Sequence, residues 1–234
     1  MLTGCDVVFG LAYVAPLDAA PDAPVFDAPP DGAICLAFVM SADADAELIS
    51  TGGSVTQGHG NEAILNIGVG IQSQGLWRFV TPQVPPGAQV TSLTLRVPFV
   101  ASARACGSLN QCGPCAAVDA SGHYDVAFAR SDWDEATACY DFPAIGRTWE
   151  TAGATGAMDR GPIAGSAAYT AATDLVVDLD PAMATSWIAA HDLSIIVSPS
   201  NGAVAIVPQK QFAATDSACG PTQAVASLTM TVCH

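Results

Sequence analysis

The chain has 234 residues, enough for one large β-domain, and half of them count as hydrophobic, yet its apolar runs fall far short of the ~20 residues that cross a bilayer as a helix. Its net charge is −15, with seven Lys plus Arg against 22 Asp plus Glu. So acidic a chain repels a phosphate backbone and has no basic stripe to collect one, which excludes nucleic acid, and it disfavours strongly anionic polymers unless a cation such as calcium bridges the surfaces.

The chain opens with Leu2-Thr3-Gly4-Cys5, the pattern that ends a bacterial lipoprotein signal, in which lipid is attached to the cysteine. A secretory signal needs a charged start and roughly 7 to 15 apolar residues before its cleavage point. Only one methionine and one leucine stand there. The expectation is that the native reading frame extends upstream into a basic, then apolar, segment. Cys5 is then the lipidation site, and the protein is extracytoplasmic, held to the bacterial envelope by its lipid alone. The following "LDAAPDAPVFDAPPDGA" repeats Asp-Ala-Pro steps without apolar periodicity. Such a tract buries too little surface to offset chain ordering, and its prolines favour extended backbone. Residues 1–33 are therefore expected to form a disordered tether and residues 34–234 a single domain, read as a monomer.

Eight cysteines suit an oxidising compartment, where disulfides persist. If Cys5 carries lipid, an odd number remains: Cys35, Cys106, Cys112, Cys115, Cys139, Cys219 and Cys233. Cys112-Gly-Pro-Cys115 lacks the strand-helix context of a redox motif and the second close pair of a zinc knuckle, so local disulfides are the expectation there.

Ordered structure is expected from Ile34, where Ile34 to Met40 forms an apolar run of strand length. Thr91 to Val100 alternates, with Leu93, Leu95, Val97 and Phe99 on one face and Thr94, Arg96 and Pro98 on the other. Tyr124, Val126 and Phe128 alternate, as do Leu175, Val177 and Leu179 against Asp174, Asp178 and Asp180. Leu193 to Val197 and Ala203 to Val207 flank the turn cluster Pro199-Ser200-Asn201-Gly202 and read as a hairpin. Leu228, Met230 and Val232 complete the strands. One short helix is expected after Asp180 as N-cap, with Pro181 in its first turn and Met183 and Trp187 four residues apart. Many short strands and one small helix predict an all-β, jelly-roll-like β-sandwich.

Face parity also predicts a disulfide. Cys35 alternates with Leu36, Phe38 and Met40, and Cys233 with Leu228, Met230 and Val232, so both thiols fall on the outer face. First and last strands of jelly rolls commonly neighbour each other, so Cys35 and Cys233 are expected to pair. Partners for Cys106, Cys112, Cys115, Cys139 and Cys219 stay open.

The segment "GLWRFVTPQVPPGAQVTSLTLRV" resembles the signature of bacterial DNRLRE-type domains, which are related to alginate-binding-like carbohydrate-binding modules. The places of the motif are taken by Arg78-Phe79, Pro85-Pro86-Gly87-Ala88 and Leu93-Thr94-Leu95. Upstream, "DADAELISTGGSVTQGHGNEAILNIGVG" is similar to the family's opening strand, glycine-ended loop and apolar strand. Downstream, Trp133, Glu135, Pro143, Trp149, Gly153-Ala154, Asp178 and Trp187 match in order. The resemblance spans most of Ala42 to Val232, with a cysteine-rich insertion from Cys106 to Tyr124. It implies a jelly-roll module of secreted or surface proteins, some of which bind carbohydrate.

No catalytic elbow, phosphate loop or zinc-protease motif is present, and His59, His123, His191 and His234 lack metal spacing. Asp132, Asp134 and Glu135 around Trp133 contain the residue types of a glycosidase pair, but the matching family element recurs without activity and reads as structural. Asp43, Asp45 and Glu47 alternate as acids on an exposed strand face do, with structural calcium as the other reading. Sugar rings stack on exposed aromatic faces. Trp77 and Trp187 fall on apolar patterns and read as core, which leaves Trp133 and Trp149, in loop-like surroundings, as the candidate ligand-binding residues. The resulting expectation is a non-catalytic envelope lipoprotein module that binds surface or matrix polysaccharide. A structural or protein-adhesion module without a sugar ligand is the alternative, and a polysaccharide-degrading enzyme a third.

Overall fold

A computed structural model describes residues 34–50, 56–60, 64–68, 73–99, 122–169, 173–188, 193–200, 209–215 and 225–234. Its strands are β1 (Cys35–Leu48), β2 (Ile64–Gly68), β3 (Gln74–Phe79), β4 (Gln89–Val97), β5 (Gly122–Ala129), β6 (Arg160–Tyr169), β7 (Leu175–Asp178), β8 (Leu193–Pro199), β9 (Gln209–Ala213) and β10 (Ser227–Cys233), with α1 (Pro181–Ile188) between β7 and β8. The expected tether, the cysteine-rich insertion as far as Ser121 and the second arm of the expected hairpin, Ala203 to Val207, lie outside the described residues, whereas Gly122 to Tyr124 begin β5.

Eight strands form one antiparallel sheet in the order β6-β5-β8-β3-β1-β10-β4-β7, and β2 pairs with β9. The sheet curls until its outermost strands meet: Asp180 N–H donates to Ala164 O at 2.7 Å, and Gly165 passes so near the Asp178 carbonyl that a Cβ there would clash. This is the sandwich-like, all-β architecture that the strand pattern predicts.

Alternation in β4, β7 and β10 puts Leu93, Leu95, Val97, Leu175, Val177, Leu228, Met230 and Val232 inside. Their neighbours in the core include the perpendicular pairs Trp77–Phe212 and Tyr124–Phe212, with centroids 6.4 and 6.0 Å apart, and the stacked pair Phe128–Trp187 at 5.6 Å. Burial of such rings supplies much of a core's stabilisation. Trp77 and Trp187 are core residues, as their sequence pattern indicates. Helix α1 starts as expected, with the Asp180 carboxylate accepting from the N–H groups of Ala182 (2.8 Å) and Met183 (3.4 Å).

Strand β1 changes neighbours midway. Residues 35–41 pair with β10 and residues 42–48 with β3, with a bulge between Ala42 and Ala44. A bulge adds one residue and so reverses which side chains point inward. Before it Phe38, Met40 and Ala42 belong to the main core, whereas after it Ala44, Ala46 and Leu48 join a second apolar cluster on the opposite face. Asp45 and Glu47 consequently lie opposite Trp77 and Gly75 and are buried, at 0 and 1 % exposure. This corrects the reading of Asp43, Asp45 and Glu47 as alternating acids on an exposed face: only Asp43 is exposed, and the bulge is the reason.

Cys35 and Cys233 are direct cross-strand partners and form a disulfide that closes a separation of 198 residues. In the chain-entropy account so long a closure stabilises by about 5 kcal/mol. Replacing both cysteines by serine is expected to lower the unfolding free energy by roughly that amount in urea titrations, while far-UV circular dichroism keeps its β signature because the β1–β10 ladder remains.

Candidate functional site

The segment from Arg130 to Asp159 crosses the outer face of β1, β3 and β8. That face presents Ala44, Ala46, Leu48, Leu76 and Ile196, and the small alanines leave room that Trp133, Trp149, Ala138 and Ala154 fill. The indole N–H of Trp133 donates to Ser194 Oγ at 3.1 Å and that of Trp149 to the Cys139 carbonyl at 2.8 Å. Trp133 and Trp149 are only 6 and 4 % exposed. This corrects the expectation that they offer open faces to sugar rings. Their loop-like sequence surroundings hid an apolar surface beneath the loop.

Other residues of the segment are placed with equal specificity. Asp159, buried, accepts the N–H groups of Glu150 (2.9 Å), Thr151 (3.0 Å) and Gly156 (3.2 Å) and so pins the turn between them. Glu135 reaches β1, where its Oε1 accepts the backbone N–H of Asp45 at 3.0 Å and the Thr215 hydroxyl at 3.4 Å. Asp45 in turn accepts the Thr215 backbone N–H through Oδ2. The His59 carbonyl accepts the Glu47 N–H at 3.4 Å. His59 is flanked by Gly58 and Gly60, whose backbones lie against the carbonyls of Ala136 and Glu135 where no side chain fits. Glu135 thus completes hydrogen bonding along a strand, in keeping with the structural reading of its motif. Among the described residues, no three His, Cys, Asp or Glu side chains are grouped so as to hold a metal ion.

Beside Trp133 the same segment leaves a small cleft, with a cavity of about 60 Å³ lined by Arg78, Arg130, Ser131, Asp132, Trp133 and Ser194. Arg78 projects from the outer side of β3, its guanidinium carbon 5.6 Å from the Trp133 ring centroid and its Nε 3.3 Å from Asp43 Oδ1. Arg130 follows β5 directly and donates from Nη1 to the Ala157 carbonyl at 2.7 Å. Each guanidinium carries five N–H donors in a fixed fork, so one bond leaves most of them available. Ser194 receives the Trp133 indole N–H, which leaves its own hydroxyl proton to donate. Guanidinium and hydroxyl donors, one carboxylate acceptor and an apolar wall thus converge on a space that holds roughly two waters or one small polar group. Sequence reasoning missed the cleft, because Arg78 and Ser194 come from β3 and β8 while Arg130 to Trp133 come from the loop after β5. The adjacency of β3 and β8 in the sheet brings them together.

Of the seven cysteines left after Cys5, Cys35 and Cys233 pair, and Cys139 is a buried free thiol. Cys5, Cys106, Cys112, Cys115 and Cys219 lie outside the described residues.

Two outcomes check this construction. Replacing Glu135 by alanine leaves the Asp45 N–H without its acceptor at a strand edge and is expected to cost about 2 kcal/mol of stability, read by chemical denaturation. Alkylation without reductant, followed by peptide mapping, is expected to label Cys139 in denaturant but not in the folded protein. Labelling of Cys35 or Cys233 in either state would contradict their pairing.

No protein-family model matches the chain, and comparison with curated proteins gives no match.

Proposed function

We propose that the chain is a cell-envelope lipoprotein, anchored through lipid on Cys5, whose β-domain binds surface or matrix polysaccharide without altering it chemically. The observation that carries this reading is the cleft of Arg78, Arg130, Ser131, Asp132 and Ser194. Its mix of donors and a carboxylate acceptor suits hydroxyl-rich sugars, whose rings present donors and acceptors on every edge. The lipobox-like start, the acidic Ala/Pro/Asp tract and the long-range disulfide support an extracytoplasmic setting. The lining contains a single carboxylate, Asp132, whereas glycoside hydrolysis uses two that face each other across about 5 to 10 Å. The protein-adhesion alternative draws support from Ile145 and Met158, large apolar side chains exposed on the segment that covers the second core.

Affinity electrophoresis against a panel of polysaccharides, with and without calcium, tests the proposal. At least one polysaccharide is expected to retard the wild-type protein, and Arg130→Ala is expected to weaken that retardation about tenfold, with a fall in the denaturation midpoint no larger than the loss of its one bond to the Ala157 carbonyl accounts for. Absence of retardation by every polysaccharide, or an Arg130→Ala protein that behaves as wild type, would defeat it and leave the adhesion reading in place.

A further inference from the structure

The cleft beside Trp133 is small, and its charges balance. A cavity of about 60 Å³ has room for one substituent of a sugar but is too small for a pyranose ring. Two of the chain's seven Lys and Arg residues line it, Arg78 and Arg130, but Asp132 shares the lining and Asp43 pairs with Arg78 at 3.3 Å. The cleft is therefore close to neutral within a molecule of net charge −15. An anionic substituent would meet the Asp132 carboxylate at short range and the field of the whole protein at long range.

Three kinds of contact meet in that space. Arg130 commits one N–H to the Ala157 carbonyl, and Ser194, which receives the Trp133 indole N–H, keeps its own hydroxyl proton, so both remain donors. The Asp132 carboxylate accepts from none of the described residues, so a donor on a ligand would displace only water there. Buried Ala129 and the Trp133 ring form an apolar wall, and the Arg78 guanidinium, 5.6 Å from the ring centroid, packs on that ring.

We infer, on the basis of the polysaccharide reading, that the cleft is the seat of an acetamido group, so that the polymer bound is one built on N-acetylated amino sugars. The acetamide oxygen accepts from Arg130 and Ser194, its N–H donates to Asp132, and its methyl lies against Trp133 and Ala129. The other common sugar substituents each fail one of the three contacts. A hydroxyl has no methyl and fills about half the space. A carboxylate or sulfate brings no N–H and sets a second negative charge beside Asp132. A free ammonium offers the guanidiniums nothing to donate to. The acetamido group is neutral, as the balanced lining requires, and carries donor, acceptor and apolar surface within the size of the cleft.

Saturation-transfer NMR on the full, unacylated chain tests it, with N-acetylglucosamine and glucose as probes. Both sugars are neutral and they differ only in the group at carbon 2. So small a contact supports a millimolar dissociation constant for a single sugar, which repetition along a polymer raises to what electrophoresis detects. The acetyl methyl is expected to receive the strongest transfer, and glucose none. Asp132→Ala should weaken N-acetylglucosamine binding about tenfold without moving the denaturation midpoint, since no described residue bonds to that carboxylate. Asp132→Asn, which keeps a side-chain acceptor, should retain most of the affinity. Equal transfer to glucose, or none to the acetyl methyl at about 50 mM sugar, would overturn the inference. The polysaccharide reading survives that result if a polymer without acetamido groups still retards the protein, and falls with it if none does.

Discussion

The bulge between Ala42 and Ala44 is the constraint on which the rest of the molecule depends. One added residue lets β1 leave β10 for β3 and reverses its inward face. Ahead of it, Phe38 and Met40 complete the main core. Beyond it, alanines and Leu48 turn outward and create a second apolar surface that needs a cover, while Asp45 and Glu47 turn inward and need polar company. Without the reversal the acids would face solvent and the outer surface would have no reason to recruit a 30-residue loop.

The covering segment answers both demands at once. Trp133 and Trp149 fill the space above the alanines, each with its indole N–H bonded, and Glu135 from the same stretch supplies an acceptor to the backbone of β1. Within the segment, Asp159 offsets its burial by accepting three N–H groups in the turn that it holds. The cleft between Arg78 and Arg130 is a by-product of this cover: it lies where the loop leaves β5 and does not close over β3. One wall is held by the packed Trp133 and by β3 and β8, while Arg130 and Asp132 line it from the exposed loop.

Fold and site were legible to different depths. Strict alternation made β4, β5, β7 and β10 readable, the Asp180-Pro181 pair marked α1, and the parity of Cys35 and Cys233 against their apolar neighbours was enough to pair them. Strand β6 had no such signal, since an edge strand reading "RGPIAGSAAY" alternates only weakly and carries Pro162 and two glycines. The acids of β1 and the two loop tryptophans were misplaced for a common reason. Period-two and loop readings assign a residue to a face by its sequence neighbours alone, and neither registers a bulge or a surface supplied from elsewhere in the chain.

By itself the sequence determined the class of fold, the helix cap and the long-range disulfide, because each depends on local periodicity or on parity within a strand. Tertiary structure alone decided which acids are buried, that Trp133 and Trp149 are core, where two of the few cations converge, and where β1 exchanges one neighbour for another. Those outcomes depend on which strands become neighbours, and an antiparallel sheet in which β3 lies between β8 and β1 sets that order through contacts more than a hundred residues apart.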